Sequence, residues 1–568
     1  MNEKNNNNQS QGGIAPQKAV VKLFVIAMLT LFPLYLCITF SGSFPFLSLS
    51  DGFFSIRHDK YTLFLALTGI AVIAEILLFV TQGSQEKQNE RINPRDLLRL
   101  SFTDIAVFAF WLVCAVSTLL SQYTETAFFG EPNGRNNGLL LMTFYLLAYL
   151  LVTRFFEENK VIPRLFAGAS ALIYLLAVLN GFHIDPLQTF VYLREHFVET
   201  FTSTIGNIDM MSSFISVSLP VFIVMSCAAQ KAWERALYIT ASSLGFMALL
   251  CSGSDSGILG LAVFLLIYLI AYSQNLLKLR NLLLTLTVML ASSRLLLLIS
   301  AATGDDHKEL SVIQTALIYS NIIYIPLLIC AALTAALYLI TLKKCRRALS
   351  PAHPNCSDNN DRVQRQDQAV SYKIKNPDFK LHKAVTVALG CVALGFVAAV
   401  LGVFVYFSAI DTKTELGSFE KLLRFNEAWG THRGFFWIKS FDIFKSSDIL
   451  RKLFGAGPDT YYFAFSPYFD ELTIYGDSST TAAHNEYINY LITVGAAGLA
   501  AYLCAIGSAV TRAFKYARES IFAQACIAAV ICYAVQAFVN IAQPITTPIF
   551  IILASICEAM ARSSENAK

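Results

Sequence analysis

Apolar residues recur along the chain in runs of about 18–25, the length a helix needs to cross a hydrocarbon core of roughly 30 Å. Fourteen such spans can be read. They cover 20–40, 62–81, 102–120, 138–155, 161–180, 209–229, 234–252, 256–274, 281–301, 315–341, 384–409, 485–510, 520–541 and 546–561. In lipid the backbone polar groups of a single span have to be satisfied within the span itself, so each is predicted to be an α-helix. The expected fold is all-α: a polytopic membrane helix bundle of about fourteen transmembrane helices.

Composition narrows the class. Of 568 residues, 55% are hydrophobic and 14% charged, with a mean hydropathy of +0.53. Soluble domains lie nearer 45–50% and about 25%, so a cytosolic or secreted globular enzyme is excluded. The net charge of +4 offers no basic face for nucleic acid. Twelve cysteines include no CxxC pair, and those such as Cys37, Cys114, Cys391 and Cys532 fall in apolar runs as small packing residues. Residues 1–19 form a polar N-terminus without a cleavable signal pattern, so the first span is expected to stay as an anchor.

Basic residues are retained on the cytoplasmic side of short loops. With the N-terminus inside, the inner connections carry Lys87, Arg91, Arg95 and Arg99, then Arg154, Lys160 and Arg164, then Lys231 and Arg235, then Lys278 and Arg280. Lys343, Lys344, Arg346 and Arg347 continue the series, followed by Arg512, Lys515 and Arg518, and by Arg562. Both termini are therefore expected to be cytoplasmic. Residues 20–341 hold ten spans, and 342–383 form a basic inner linker, ten Lys/Arg against four Asp/Glu, open to contact with anionic membrane lipids. Residues 384–561 hold spans eleven to fourteen, and 562–568 the tail. Within that terminal region the outer segment 410–484, with sixteen Phe, Trp or Tyr, is expected to fold as a small extracytoplasmic helical cap.

Four polar clusters map to the outer side, where ionisable groups usually face a cavity. The turn Gly130-Glu131-Pro132-Asn133-Gly134-Arg135-Asn136-Asn137-Gly138 carries one cation, Arg135, which reads either as a snorkelling helix-end residue or as a phosphate contact. Gly206 and Asn207 precede a helix start, either as an anion cradle of backbone N–H groups or as an ordinary turn and cap. Cys251 to Gly257 reads as a short turn. The fourth cluster combines Thr431-His432-Arg433-Gly434-Phe435-Phe436-Trp437, Gly455-Ala456-Gly457-Pro458, Ala482-Ala483-His484-Asn485-Glu486-Tyr487 and Gly495-Ala496-Ala497-Gly498. A histidine there suits proton transfer, and an arginine grips phosphate bidentately.

That order of motifs resembles the O-antigen ligase and polymerase superfamily across about 415–550, with looser agreement in the first half. The resemblance implies a metal-independent glycosyltransferase, without cofactor, that moves a glycan from a polyprenyl-diphosphate donor (undecaprenyl diphosphate) to a glycan or lipid acceptor outside the cytoplasm. It implies His484 as the essential histidine and Arg433 as the arginine of the outer loop, the candidate catalytic residues; Arg135, Asn485, Gly206 and Asn207 are the candidate diphosphate-binding residues beside them. Where relatives carry Ser-Arg-Gly in a mid-chain turn, this chain reads Ser254-Asp255-Ser256-Gly257, so the second cation has to be Arg135 or another. An alternative function from another class is a transporter or flippase of a lipid-linked oligosaccharide, and a third is a signalling or structural membrane protein. Against the transporter, no repeat between the halves is visible, and Arg294 is the one deep charge.

Overall fold

A computed structural model describes residues 16–36, 52–82, 99–131, 135–304, 307–349 and 383–566. Most of the linker 342–383, the cations Lys87, Arg91 and Arg95, Cys37, and Pro132 to Gly134 lie outside the described residues. The first half contributes α1 (Pro16–Leu29), α2 (Gly52–Gln82), α3 (Phe102–Leu120), α4 (Leu139–Phe155), α5 (Val161–Gly181), α6 (Ile208–Ala228) and α7 (Ala232–Leu250). There follow α8 (Ser256–Tyr272), α9 (Leu276–Ser292), α10 (Tyr324–Leu349), α11 (Lys383–Val405), α12 (Trp429–Ser446), α13 (Glu486–Thr493), α14 (Gly495–Tyr516), α15 (Ile521–Gln536) and α16 (Thr547–Asn566). Among the described residues, eleven helices are long and apolar enough to cross a membrane, and α4 and α8 are shorter apolar helices. The protein is an all-α, multi-pass bundle.

The core is built around α6, which packs between α7 and α15. Its buried serines let neighbouring backbones approach and then hydrogen-bond across the gap, the way helices associate where lipid removes any hydrophobic advantage. Ser212 meets Ser256 at 2.9 Å, Ser226 meets Thr285 at 2.8 Å, and Ser213 bonds the Gln536 amide. A second layer joins α14 to α3 and α16, and α4 to α16. By contrast α10 and α11 are hardly buried within the chain; Cys391, on α11, is exposed, whereas Cys114 and Cys532 are packed.

Several spans expected to be continuous are interrupted, the first of them, 20–40, at Thr30. The stretch 485–510 divides into α13 and α14 at Gly495, whose φ of +71° ends the first helix. Expected span nine breaks at Ser293 and Arg294, and span ten at Ser320. Arg294, at the first of the latter breaks, reaches across to the second. Its guanidinium donates to the carbonyls of Leu317 (2.5 Å) and Ser320 (3.5 Å), satisfying chain ends at membrane depth.

Segment 410–484 is helical, in short pieces. Phe435, Phe436, Tyr461, Phe465 and Leu472 close a small core of their own against Ile488 and Ile492 of α13, whereas Phe441 stays exposed. At the end of the bundle away from this cap, buried charges tie helices together. Asp104 pairs with Arg154 at 3.2 Å and with Arg562, and accepts from the Tyr149 hydroxyl at 2.8 Å. Arg512 holds Glu558 and Glu565.

Removing one partner of a buried ion pair strands the others, at about 3–5 kcal/mol. Asp104→Ala is therefore expected to lower the melting temperature of the detergent-solubilised protein by many degrees. Glu157→Ala, which breaks an exposed pair with Lys18, should cost under about 1 kcal/mol. Equal melting curves for the two variants would refute this assignment.

Candidate functional site

The turn 130–138 is shaped by its two glycines. Gly130 has a φ of +91°, and a Cβ on Gly138 would lie 2.4 Å from the Gly130 nitrogen, so the two ends of the turn touch backbone to backbone. Asp459 fastens the turn to the cap: one carboxylate oxygen accepts the N–H of Glu131 at 2.8 Å and of Asn137 at 2.9 Å. The Asn137 amide donates to the Ala542 carbonyl at 2.8 Å. Arg135 is thereby held part-buried, and its Nε has no hydrogen-bond partner. Burial, then the neighbouring Arg57, lower its guanidinium to about 9, while Asp459 and Asp209 oppose them. Burial raises Asp459 to about 6 despite those N–H donors and Arg135.

Arg433 is aimed by backbone geometry. Gly430, Thr431 and His432 are all left-handed, with φ of 58°, 56° and 68°, so regular helix in α12 begins at Arg433. A Cβ on Gly434 would stand 1.8 Å from the Asn426 carbonyl oxygen, which explains the glycine that follows. Arg433 donates to the Gly430 carbonyl at 2.8 Å and to Thr431 Oγ1 at 3.1 Å, and lies 4.0 Å from Asp209. Its Nε, too, is buried without a hydrogen-bond partner.

His484 sits at the entry to α13 with a φ of +51°. Its ring stacks on Phe436, centroids 5.4 Å apart. The two glycine motifs fix α13 from its far end. Ala456 and Gly457 donate their N–H groups to the carbonyls of Ile492 and Thr493, and a Cβ on Gly455 or on Gly495 would come within 2.3 Å of the facing backbone. Burial first, then Arg433 and Arg135, hold the imidazole well below its ordinary value, against a smaller opposing pull from Asp209. His484 is therefore a neutral base facing two cations.

His484 thus has Arg433 and Arg135 within electrostatic reach at one end of the bundle. Asn485 and Asn207 lie beside them as helix caps. Asn485 Oδ1 accepts from Tyr487 and Ile488 at 3.0 Å each, and Asn207 Oδ1 accepts from Asp209 at 2.9 Å. Gly206 suits its place because its φ is +89°, a left-handed backbone that strains any side chain. In the short turn 251–257, Asp255 accepts from Ser311 at 2.5 Å; burial raises its carboxyl, against Ser311 and Arg433.

Four residues escaped the sequence reading. Asp459 looked like the tail of a Gly-x-Gly-Pro turn, and Arg57 like one charge of a polar flank beside His58, Asp59 and Lys60. Glu486, 1% exposed, accepts from the hydroxyls of Tyr502 and Tyr533. Gln543 is fully buried with neither amide atom hydrogen-bonded. No spacing in the sequence marks these, since each acquires meaning only from tertiary neighbours. Among the described residues no three His, Cys, Asp or Glu gather as a metal site.

Compared with known protein families and with curated proteins, the chain matches none.

The lowered His484 value has a defined sign. Folding favours the neutral ring, so this contribution to stability is present above the ordinary imidazole value of about 6.5 and is lost as pH falls below it. In isotope-labelled protein, the His484 ring signal is expected to stay in the neutral form from pH 8 to pH 5. A midpoint near 6.5 would show that the ring is neither desolvated nor held by the two arginines.

Proposed function

We propose that the chain is an extracytoplasmic, metal-independent inverting glycosyltransferase that moves a glycan from a polyprenyl-diphosphate carrier to an acceptor hydroxyl, as in O-antigen ligases and polymerases. On this reading it crosses a bacterial cytoplasmic membrane fourteen times, with both termini inside and the cap outside, and works in cell-surface polysaccharide assembly. The supporting observation is the meeting of a neutral histidine with two arginines whose buried Nε atoms have no hydrogen-bond partner.

His484 accepts the proton of the acceptor hydroxyl as its oxygen attacks the anomeric carbon. The bond from that carbon to the diphosphate oxygen breaks, and the leaving group departs with both electrons. Arg433 and Arg135 neutralise the charge that builds on it. Arrival of the diphosphate beside His484 also raises the ring's proton affinity, so the base strengthens only when donor is present. Attack opposite the leaving group inverts the centre. Between α3, α4, α14 and α16 lies an apolar cavity lined by Phe110, Trp111, Tyr145, Tyr502 and Phe550, which suits hydrocarbon.

His484→Ala, expressed at normal abundance in a strain lacking the chromosomal copy, is expected to abolish the surface glycan and leave lipid-linked donor accumulating outside the cytoplasm. Arg433→Ala should lose at least about a hundredfold in transfer rate. Normal glycan from His484→Ala would overturn the catalytic assignment. Accumulation on the cytoplasmic face after deletion of the gene would instead indicate a flippase.

A further inference from the structure

Residues 540–546 lead into α16 without helical structure and are buried along their whole length. A buried loop holds polar groups that water does not reach, so each needs a partner from elsewhere. Several find one. The Asn540 amide donates to the Asp209 carbonyl at 2.9 Å and to Ser213 Oγ at 3.1 Å, and the Asn137 amide donates to the Ala542 carbonyl at 2.8 Å. These bonds lay the loop between the turn that carries Arg135 and the start of α6, where Asp209 lies 4.0 Å from Arg433. The Gln543 N–H donates to Thr547 Oγ1 at 2.9 Å, which meets the Tyr533 hydroxyl at 3.2 Å. Tyr533 in turn donates to Glu486 at 3.0 Å, two residues past His484.

Three side chains in this framework are left incomplete. Gln543 and Thr546, both 0% exposed, have no hydrogen bond at Oε1, Nε2 or Oγ1, and Asn137, 8% exposed, has none at Oδ1. Asn137 is bonded to the residue before Gln543, and Thr546 stands three positions further on in the same loop. Native structures rarely leave buried polar atoms unpaired. The set is also mixed: the two amide oxygens only accept, Nε2 only donates, and the threonine hydroxyl does both. An ionised phosphate, which only accepts, would leave both oxygens unpaired, and hydrocarbon would leave all four atoms so. A ring bearing several hydroxyls supplies donors and acceptors together.

We propose that Gln543, Thr546 and Asn137 form a subsite for a sugar ring, whose hydroxyls donate to Gln543 Oε1 and Asn137 Oδ1 and accept from Gln543 Nε2. The inference rests on the transferase reading in taking that sugar from the donor or the acceptor glycan. It divides the site by chemistry: Arg433 and Arg135 meet phosphate, and the neutral loop selects the glycan. A sugar lacking the matching hydroxyl leaves the buried amide unpaired and is rejected.

The test uses the full-length protein in detergent. Gln543→Leu and Thr546→Val nearly keep size and remove the polar atoms, so both should melt no lower than the parent, an unpaired group having been replaced by an apolar one. Gln543→Leu should raise KM for one of the two glycans by about tenfold or more, with kcat changed far less. Which KM moves, that of lipid-linked donor or of acceptor, identifies the source of the sugar. Thr546→Val should move the same KM by a smaller factor. Calorimetry with the acceptor glycan, and with the free oligosaccharide released from the donor by mild acid, reads binding apart from transfer. Parent-like KM values in both variants, the result expected of atoms that bond only trapped water, would overturn the subsite, as would a lowered melting temperature with unchanged KM. If His484→Ala abolishes transfer in that case, the transferase reading stands without it. If a glycan binds the parent, Gln543→Leu weakens that binding and nothing is transferred, the subsite stands and the transferase reading falls.

Discussion

Asp459 accepts two backbone N–H groups of the 130–138 turn through a single oxygen, from a left-handed position just after Gly457 and Pro458. That contact ties the first half of the chain to the cap. It places Arg135 beside the cap, and through the adjoining Gly455–Gly457 strip, which carries the far end of α13, it shares a support with His484. The same carboxylate is the counter-charge of Arg135 and Arg57. One buried acid therefore sets both the geometry and the electrostatic balance of the site, and its raised value of about 6 reflects how little water remains around it.

The two ends of the bundle use charge in opposite ways. At the end away from the cap, Asp104 and Glu558 meet Arg154, Arg562 and Arg512 in closed pairs, and a closed buried pair is structural. At the cap end Arg433 lies 4.0 Å from Asp209, and the Nε atoms of Arg433 and Arg135 are buried without a hydrogen-bond partner. A membrane protein can hold such groups only where a cavity or a ligand relieves them.

The spans were legible because lipid is an unforgiving solvent: a run of apolar residues of the right length has one backbone solution. The interruption at Gly495 was hidden, since 485–510 reads as one span by length and hydropathy, and what lies against the break is the Leu453 backbone from a distant segment. His484, Arg433 and Arg135 could be named because their motifs carry unusual residue types at fixed spacing. Gln543 could not, because its relation to Asn137 exists only after the loop 540–546 packs beside the 130–138 turn. The glycine motifs were visible as patterns, while their physical role, backbone laid against backbone, was not. Asn485 and Asn207 belong to the same site neighbourhood, with side-chain oxygens committed to helix starts.

Asn136, Thr431, His432, Asp459 and His484 all hold left-handed backbone, and all stand on or beside this site. For residues bearing a Cβ that conformation costs about 1–2 kcal/mol each, so no isolated segment adopts it unaided; neighbours from both halves of the chain impose it. During synthesis the membrane therefore receives spans from the first half that carry arginines but no working centre. Assembly completes the centre only once His484 and the helices after it have been inserted. Until the cap has been made, the turn that carries Arg135 lacks Asp459, the acid that fastens it.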